Sequence, residues 1–313
     1  VVSAGSYVLS ALALAAVGLS LGFTTFKLRQ RLLPAWEGAP ARLIEAVTAI
    51  ALLIWLGELL GTLQIFYAPA LVVSCLLTAG LIAWRIRPSV LKQSPMPGGG
   101  TDLGDHPEEA ALAAPAAGGG SKSVTGPAGP GALGWVVTVG VIALVFAHWG
   151  LTTKDALDRG IFNFDSLWYH MPFAADMVQS HSVTGLHYTE TVFTNWFYPQ
   201  NSELLHATGI LLTHRDTLSL FLNFGFLALS FLAAWCIGRP YGRGHLTVVA
   251  AAIVLECHTL VVREPGAAKN DLVAAALLLA AAAILVNAWH VSRGWRAGGG
   301  SRTARGLPAG PPP

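Results

Sequence analysis

Three polar stretches in an otherwise apolar chain carry the residue types that can do chemistry. The first is Asn163-Phe164-Asp165-Ser166-Leu167-Trp168-Tyr169-His170-Met171-Pro172. A carboxylate at Asp165 can act as a general base, taking the proton from an acceptor hydroxyl while a lipid-borne phosphate leaves. The rings of Trp168 and Tyr169 can stack on a sugar face, and His170 can meet phosphate or hydroxyls. The second stretch is Asn195-Trp196-Phe197-Tyr198-Pro199-Gln200-Asn201-Ser202-Glu203, continuing to His206. Pro199 to Ser202 read as a turn into a helix, and Glu203 and His206 stand three apart on one helical face. They can contact a diphosphate or a sugar, or pair with each other, but two ligands do not make a metal site. The third is Arg263-Glu264-Pro265-Gly266-Ala267-Ala268-Lys269-Asn270-Asp271. Lys269 has the charge a phosphate needs, and the start of a helix adds N–H donors.

Each of these residues also has a plain structural use. Asp165 is a good N-cap, with Phe164 and Tyr169 at the staple positions around it. Trp and Tyr collect at membrane interfaces whatever the function. Asn270 is a good cap, and Asp271 suits the positive end of a helix dipole. Glu256 and His258, close to the end of an apolar run, are costly in lipid and should face a protein-lined cavity.

Composition says what must position these stretches. Of the 313 residues 53% are hydrophobic and 12% charged, and the mean hydropathy is +0.56. Soluble domains carry roughly a quarter charged residues, so this is a membrane protein. A net charge of +2, without a basic stripe, gives no reason to expect nucleic acid. Cys75, Cys236 and Cys257 lie in or beside apolar runs at unrelated spacings and read as small buried residues. The surplus of Arg over Lys, 14 to 5, with abundant Ala, Gly and Val, suggests a bacterial genome.

About 20 apolar residues cross a bilayer. Seven spans are expected: Tyr7–Phe26, Leu43–Phe66, Ala68–Trp84, Leu133–Leu151, Leu218–Ile237, Leu246–Val262 and Leu272–His290. The first is long enough to span and is followed by basic residues, so it reads as a retained span rather than a cleaved signal. Leu204–Leu212 is too short to cross and suits a re-entrant or interfacial helix. On alternating spans 14 basic residues fall on one side and 5 on the other, which places the 14 in the cytoplasm. The Asp165 and Lys269 loops then share the outer face. The domain expectation is a three-span region 1–92, a disordered Gly/Pro-rich cytoplasmic linker 93–131, a four-span region 132–290 with the outer polar loop, and a disordered cytoplasmic tail 291–313.

On these residues the sequence resembles the GT-C class of integral membrane glycosyltransferases, of the polyprenyl-phosphate-sugar-dependent mannosyltransferase and aminoarabinose-transferase types. Asp165 with Tyr169 and His170 is similar to the essential acidic loop of that class, Tyr198-Pro199 with Glu203 to a recurring turn, and Asn270-Asp271 to a later outer motif. The likeness covers roughly Leu133–Trp289. Ser166 stands where the class often has a second acidic residue, the three N-terminal spans look added, and seven spans are fewer than usual, as in a truncated member.

The resemblance implies an all-α polytopic helix bundle in the plasma membrane with extracytoplasmic active-site loops. It implies transfer of a sugar from a polyprenyl-phosphate donor to an acceptor that the sequence does not identify. Asp165 would be the catalytic base, and Tyr169, His170, Tyr198, Glu203, His206, Lys269 and Asp271 would bind substrate. No cofactor is required, though a divalent metal has room. The rival is a non-catalytic transporter or scaffold of cell-envelope polysaccharide assembly, for which broken helices or midplane charges would argue.

Overall fold

A computed structural model describes residues 4–86, 131–189 and 195–299. Most of the expected linker, and the tail beyond Gly299, lie outside these. Ten helices and no strand are found among the described residues. α1 (Ala4–Leu32), α2 (Ala39–Thr62), α3 (Ala68–Arg85), α4 (Ala132–Arg159), α7 (Thr217–Gly238) and α10 (Asp271–Gly299) are long and apolar enough to cross a membrane. The protein is thus an all-α polytopic bundle.

The expected sixth span is broken. α8 (Gly244–Leu255) ends at Glu256-Cys257 and α9 (His258–Arg263) restarts the chain. Twelve residues rise about 18 Å, short of a hydrocarbon core of about 30 Å. Glu256 sits in the break, where its carboxylate meets His148 Nδ1 on α4 at 2.6 Å. A charged group inside an apolar run is accommodated by ending the helix there and giving the charge a partner. The last helix also departs from expectation: it runs on to Gly299, so 291–299 are helical rather than disordered. No proline interrupts the stretch before Pro308, and the single Gly294 is tolerated ahead of the glycine run that begins at Gly298.

Two apolar cores hold the bundle. In one, α4, α7, α8 and α10 pack with Leu43 of α2 around Trp149, Leu227, Leu272 and Ala276. In the other, α1, α2 and α3 pack with α5 (Met171–Ser180) and α6 (Asn201–Thr213) around Phe66, Leu71, Phe173, Met177 and Leu204. α2 serves both, so the N-terminal spans share their interior with the rest of the chain. The α2–α6 contact is close because Gly57 lets Leu204 in; a Cβ there would lie 2.9 Å from Leu204 Cδ2.

α6 is the short apolar run expected at an interface or as a re-entrant segment. It is an interior helix, with nearly every residue from Ser202 to Leu212 buried. Its buried Glu203 is accommodated there by His170 and the Ser202 hydroxyl.

Candidate functional site

The site is built at one end of the bundle, where α4 ends and α6 and α10 begin. After Gly160 the chain makes one widened, π-type turn, Ser166–His170, before α5. Such turns recur at functional positions because they re-aim side chains. Pro172 then lies in the first turn of α5, directly after the widened turn.

Asp165 does not cap this turn. The Asn163 carboxamide does: its Oδ1 accepts from the Ser166 N–H at 3.3 Å and lies 3.4 Å from the Ser166 hydroxyl. The Asp165 carboxylate is left for Lys269, whose Nζ is 3.2 Å from Asp165 Oδ2, 3.0 Å from Asp271 Oδ2 and 3.7 Å from Glu264 Oε1. Lys269 is 6% exposed, whereas the side chains of Asp165 and Asp271 are 38% and 59% exposed. The cluster therefore has a buried cation and a wet, reachable rim.

The backbone holds this arrangement. The Ala268 N–H donates to Ser166 Oγ at 3.0 Å, joining the Lys269 loop to the Asp165 turn. Gly266 has φ +68°, and a Cβ there would lie 2.7 Å from Ala156 Cβ and 3.2 Å from Thr153 Cα. Only glycine lets the loop turn left-handed against the end of α4. The Asn223 amide on α7 donates to the Glu264 carbonyl at 2.9 Å and fixes the other side of the loop.

Glu264 is the residue that sequence reasoning did not select. Its carboxyl is 1% exposed and is pushed up to about 7. Burial is the main cause, the nearby Asp271 carboxylate adds to it, and Lys269 and the Leu272 N–H pull the other way. For Lys269, burial alone would lower the pKa. Its bond to Asp271 and the charges of Asp271, Glu264 and Asp165 outweigh that and raise it, so the ammonium is firmly charged. The only sequence sign for Glu264 was an acid beside a Pro-Gly turn, which reads as an ordinary solvated loop residue.

A second polar group lies alongside. His170, fully buried, bonds through Nδ1 to Glu203 Oε1, and Glu203 Oε2 accepts from the Ser202 hydroxyl at 2.9 Å. His206 follows one turn later on α6, with neither ring nitrogen hydrogen-bonded. Burial drives its pKa down to about 4, only partly offset by Glu203, so it is neutral near neutrality. Tyr169 joins the groups: its ring lies 4.0 Å from the His170 ring. Its phenol is pushed up to about 12 by burial and by the charges of Asp165, Glu203 and Asp271.

Asp165, Tyr169, His170, Glu203, His206, Lys269 and Asp271 thus come together from three segments of the chain. Tyr198 does not join them: it is exposed, and among the described residues no hydrogen bond or ion pair ties its ring to the group. Like Phe162, Phe164, Leu167 and Phe197 it is an exposed large side chain, as interfacial residues are. No set of three or more His, Cys, Asp or Glu side chains among the described residues is arranged to hold a metal. Lys269 Nζ occupies the space between the carboxylates, so a divalent ion would have to displace it.

Comparison with known proteins finds no family model, no curated protein and no solved structure that matches this chain.

Proposed function

We propose that this protein is a membrane glycosyltransferase of the GT-C type, moving a sugar from a polyprenyl-phosphate donor to an acceptor on the outer face of a bacterial plasma membrane. The observation that carries the reading is the pairing of a half-wet carboxylate, Asp165, with a buried, firmly charged Lys269 supplied by a distant loop. Transfer with inversion needs a base beside the acceptor hydroxyl and a cation beside the departing phosphate. The donor phosphate replaces Asp165 as the partner of Lys269, and the released carboxylate takes the hydroxyl proton as oxygen attacks the anomeric carbon. Tyr169 lines the approach, and buried His170 behind it is held in place by Glu203. The sided basic residues, 14 against 5, support the outward placement of this end.

The test is Asp165→Asn in membranes given polyprenyl-phosphate-linked hexose or aminopentose. A missing base lowers transfer by roughly 10²–10⁴-fold. Because Asn163 is the cap, Asp165→Asn should leave the turn folded and the protein inserted. Near-normal transfer by the variant would remove Asp165 as the base.

One observation favours the rival transporter reading: the broken α8–α9 helix with Glu256 in the break. Proteoliposome uptake separates the two. Glycosidic product without net solute movement supports the enzyme, and Glu256-dependent uptake without product supports the transporter.

A further inference from the structure

The opposite end of the bundle carries a second polar construction that the transfer reaction does not use. Where α1 runs into α2, Glu45 is buried and both its oxygens are taken, Oε1 by Arg29 Nε at 2.9 Å and Oε2 by Arg42 Nη1 at 2.7 Å. Arg29 is spent on structure, since its Nη1 also donates to the Trp36 carbonyl at 3.3 Å. Around the single ring of Phe26 three cations gather: Arg29 Cζ at 5.2 Å, Arg42 Cζ at 5.6 Å and Lys27 Nζ at 6.0 Å. Three positive charges against the one carboxylate of Glu45 leave a local excess of two. Like charges drawn this close repel, and an anion relieves them.

Beside this group lies a cavity of about 430 Å³, lined among others by Gly22, Phe26, Arg42, Glu45, Ala46 and Ala49, with both Glu45 oxygens held by Arg29 and Arg42. Its polar and apolar walls are separated by depth. Arg42, with a side chain 54% exposed, is at the mouth. Ala49 is seven residues further along α2, about 10 Å deeper at 1.5 Å per residue. Gly22 contributes no side chain, and a Cβ added there would meet nothing within 4 Å. The cleft opens on a face where Leu19 and Phe23 are exposed, as side chains toward lipid are.

We infer that this cleft binds one anionic phospholipid, its phosphate against Arg42 at the mouth, where Lys27 beside the Phe26 ring adds positive charge, and the start of one acyl chain along Gly22, Ala46 and Ala49. A free phosphate would use the cations but leave the apolar floor without a partner, so the lipid fits the whole cleft. The site is independent of the proposed transfer reaction, since it lies at the far end of the bundle from Lys269. Gly38, between α1 and α2, is close to Arg239 at the end of α7, whereas Lys269 precedes the start of α10.

The experiment is native mass spectrometry of the detergent-purified chain titrated with phosphatidylglycerol, phosphatidylcholine or inorganic phosphate. One phosphatidylglycerol should remain bound under conditions that strip phosphatidylcholine. Lys27→Gln removes a cation that makes no ion pair among the described residues, so the Arg29–Glu45–Arg42 set survives, and retention should fall about fivefold. Ala46→Leu, which fills the floor, should weaken phosphatidylglycerol binding with both cations still in place. Equal retention of the two lipids, or unchanged retention in both variants, would overturn the site. Displacement of phosphatidylglycerol by an equal concentration of inorganic phosphate would overturn its assignment to a lipid.

Discussion

Glu264→Gln is the sharpest physical test of the polar cluster, because the structure assigns that carboxyl a proton near neutral pH. Its ordinary value of 4.5 is lifted to about 7, chiefly by burial. Between these two pH values the folded chain keeps a proton that the unfolded chain has released. Native protein then binds more protons than unfolded protein, so stability falls as pH rises through this window and levels off above it. A gap of about 2.5 units, at about 1.4 kcal/mol each, sets the loss near 3 kcal/mol at most. Glutamine keeps the shape, accepts the Leu272 N–H and cannot ionise. Lys269 and Asp271 face the same carboxyl and remain, and Asp165 stays paired to Lys269. Unfolding by SDS, followed by tryptophan fluorescence between pH 4.5 and 8 in one detergent, should show the wild type losing stability against Glu264→Gln as pH rises. Infrared spectra at pH 6 should contain a protonated carboxyl band that the variant lacks. Parallel stability curves and no such band would refute the burial argument.

Two further substitutions probe neighbouring parts of the site. Gly266→Ala forces a left-handed residue, costing about 1–2 kcal/mol, and sets a methyl 2.7 Å from Ala156 Cβ and 3.2 Å from the backbone of Thr153. It should lower stability by at least that much in a denaturant titration and loosen Lys269. His206→Leu removes two unbonded ring nitrogens from the interior, so stability at pH 7.5 should hold or rise. The His206 pKa is depressed to about 4, so the unfolded chain gains a proton first on acidification and the wild type loses stability from pH 6.5 down to 4. The variant should resist that range, and an equal acid response in both would contradict a neutral buried His206.

Hydropathy and charge made much of the bundle legible, because span length and basic asymmetry depend only on composition along the chain. They also paired the Asp165 and Lys269 loops at one end, which the 3.2 Å contact bears out. What they missed depends on three-dimensional neighbours. Leu204–Leu212 reads as re-entrant or interfacial, and nothing in the run itself says that α2 and α7 will enclose it. The α8 break follows from the partner that His148 gives Glu256, a residue far away in sequence. Glu264 looked like a loop acid until the turn at Gly266 folded it inward. Its anomalous proton is a property of burial, which no local pattern encodes.

The division of labour between Asn163 and Asp165 shows how position, rather than residue type, decides a role. Both residue types make good caps, and from sequence alone that role points to Asp165. Asn163 precedes Ser166 by three residues, so its short side chain reaches back to that N–H. Asp165, immediately before Ser166, already has helical backbone angles of −61° and −38° and makes no side-chain cap bond. Relieved of that duty, its carboxylate turns to Lys269. The charges then count as follows near neutral pH: Asp165 and Asp271 negative, Lys269 positive, Glu264 about half protonated, a sum between minus one and minus two. Under the proposed reaction an anionic donor cannot simply add to such a cluster. It must take the place of Asp165 on Lys269, and that exchange leaves the carboxylate without its cation just where a proton has to be accepted.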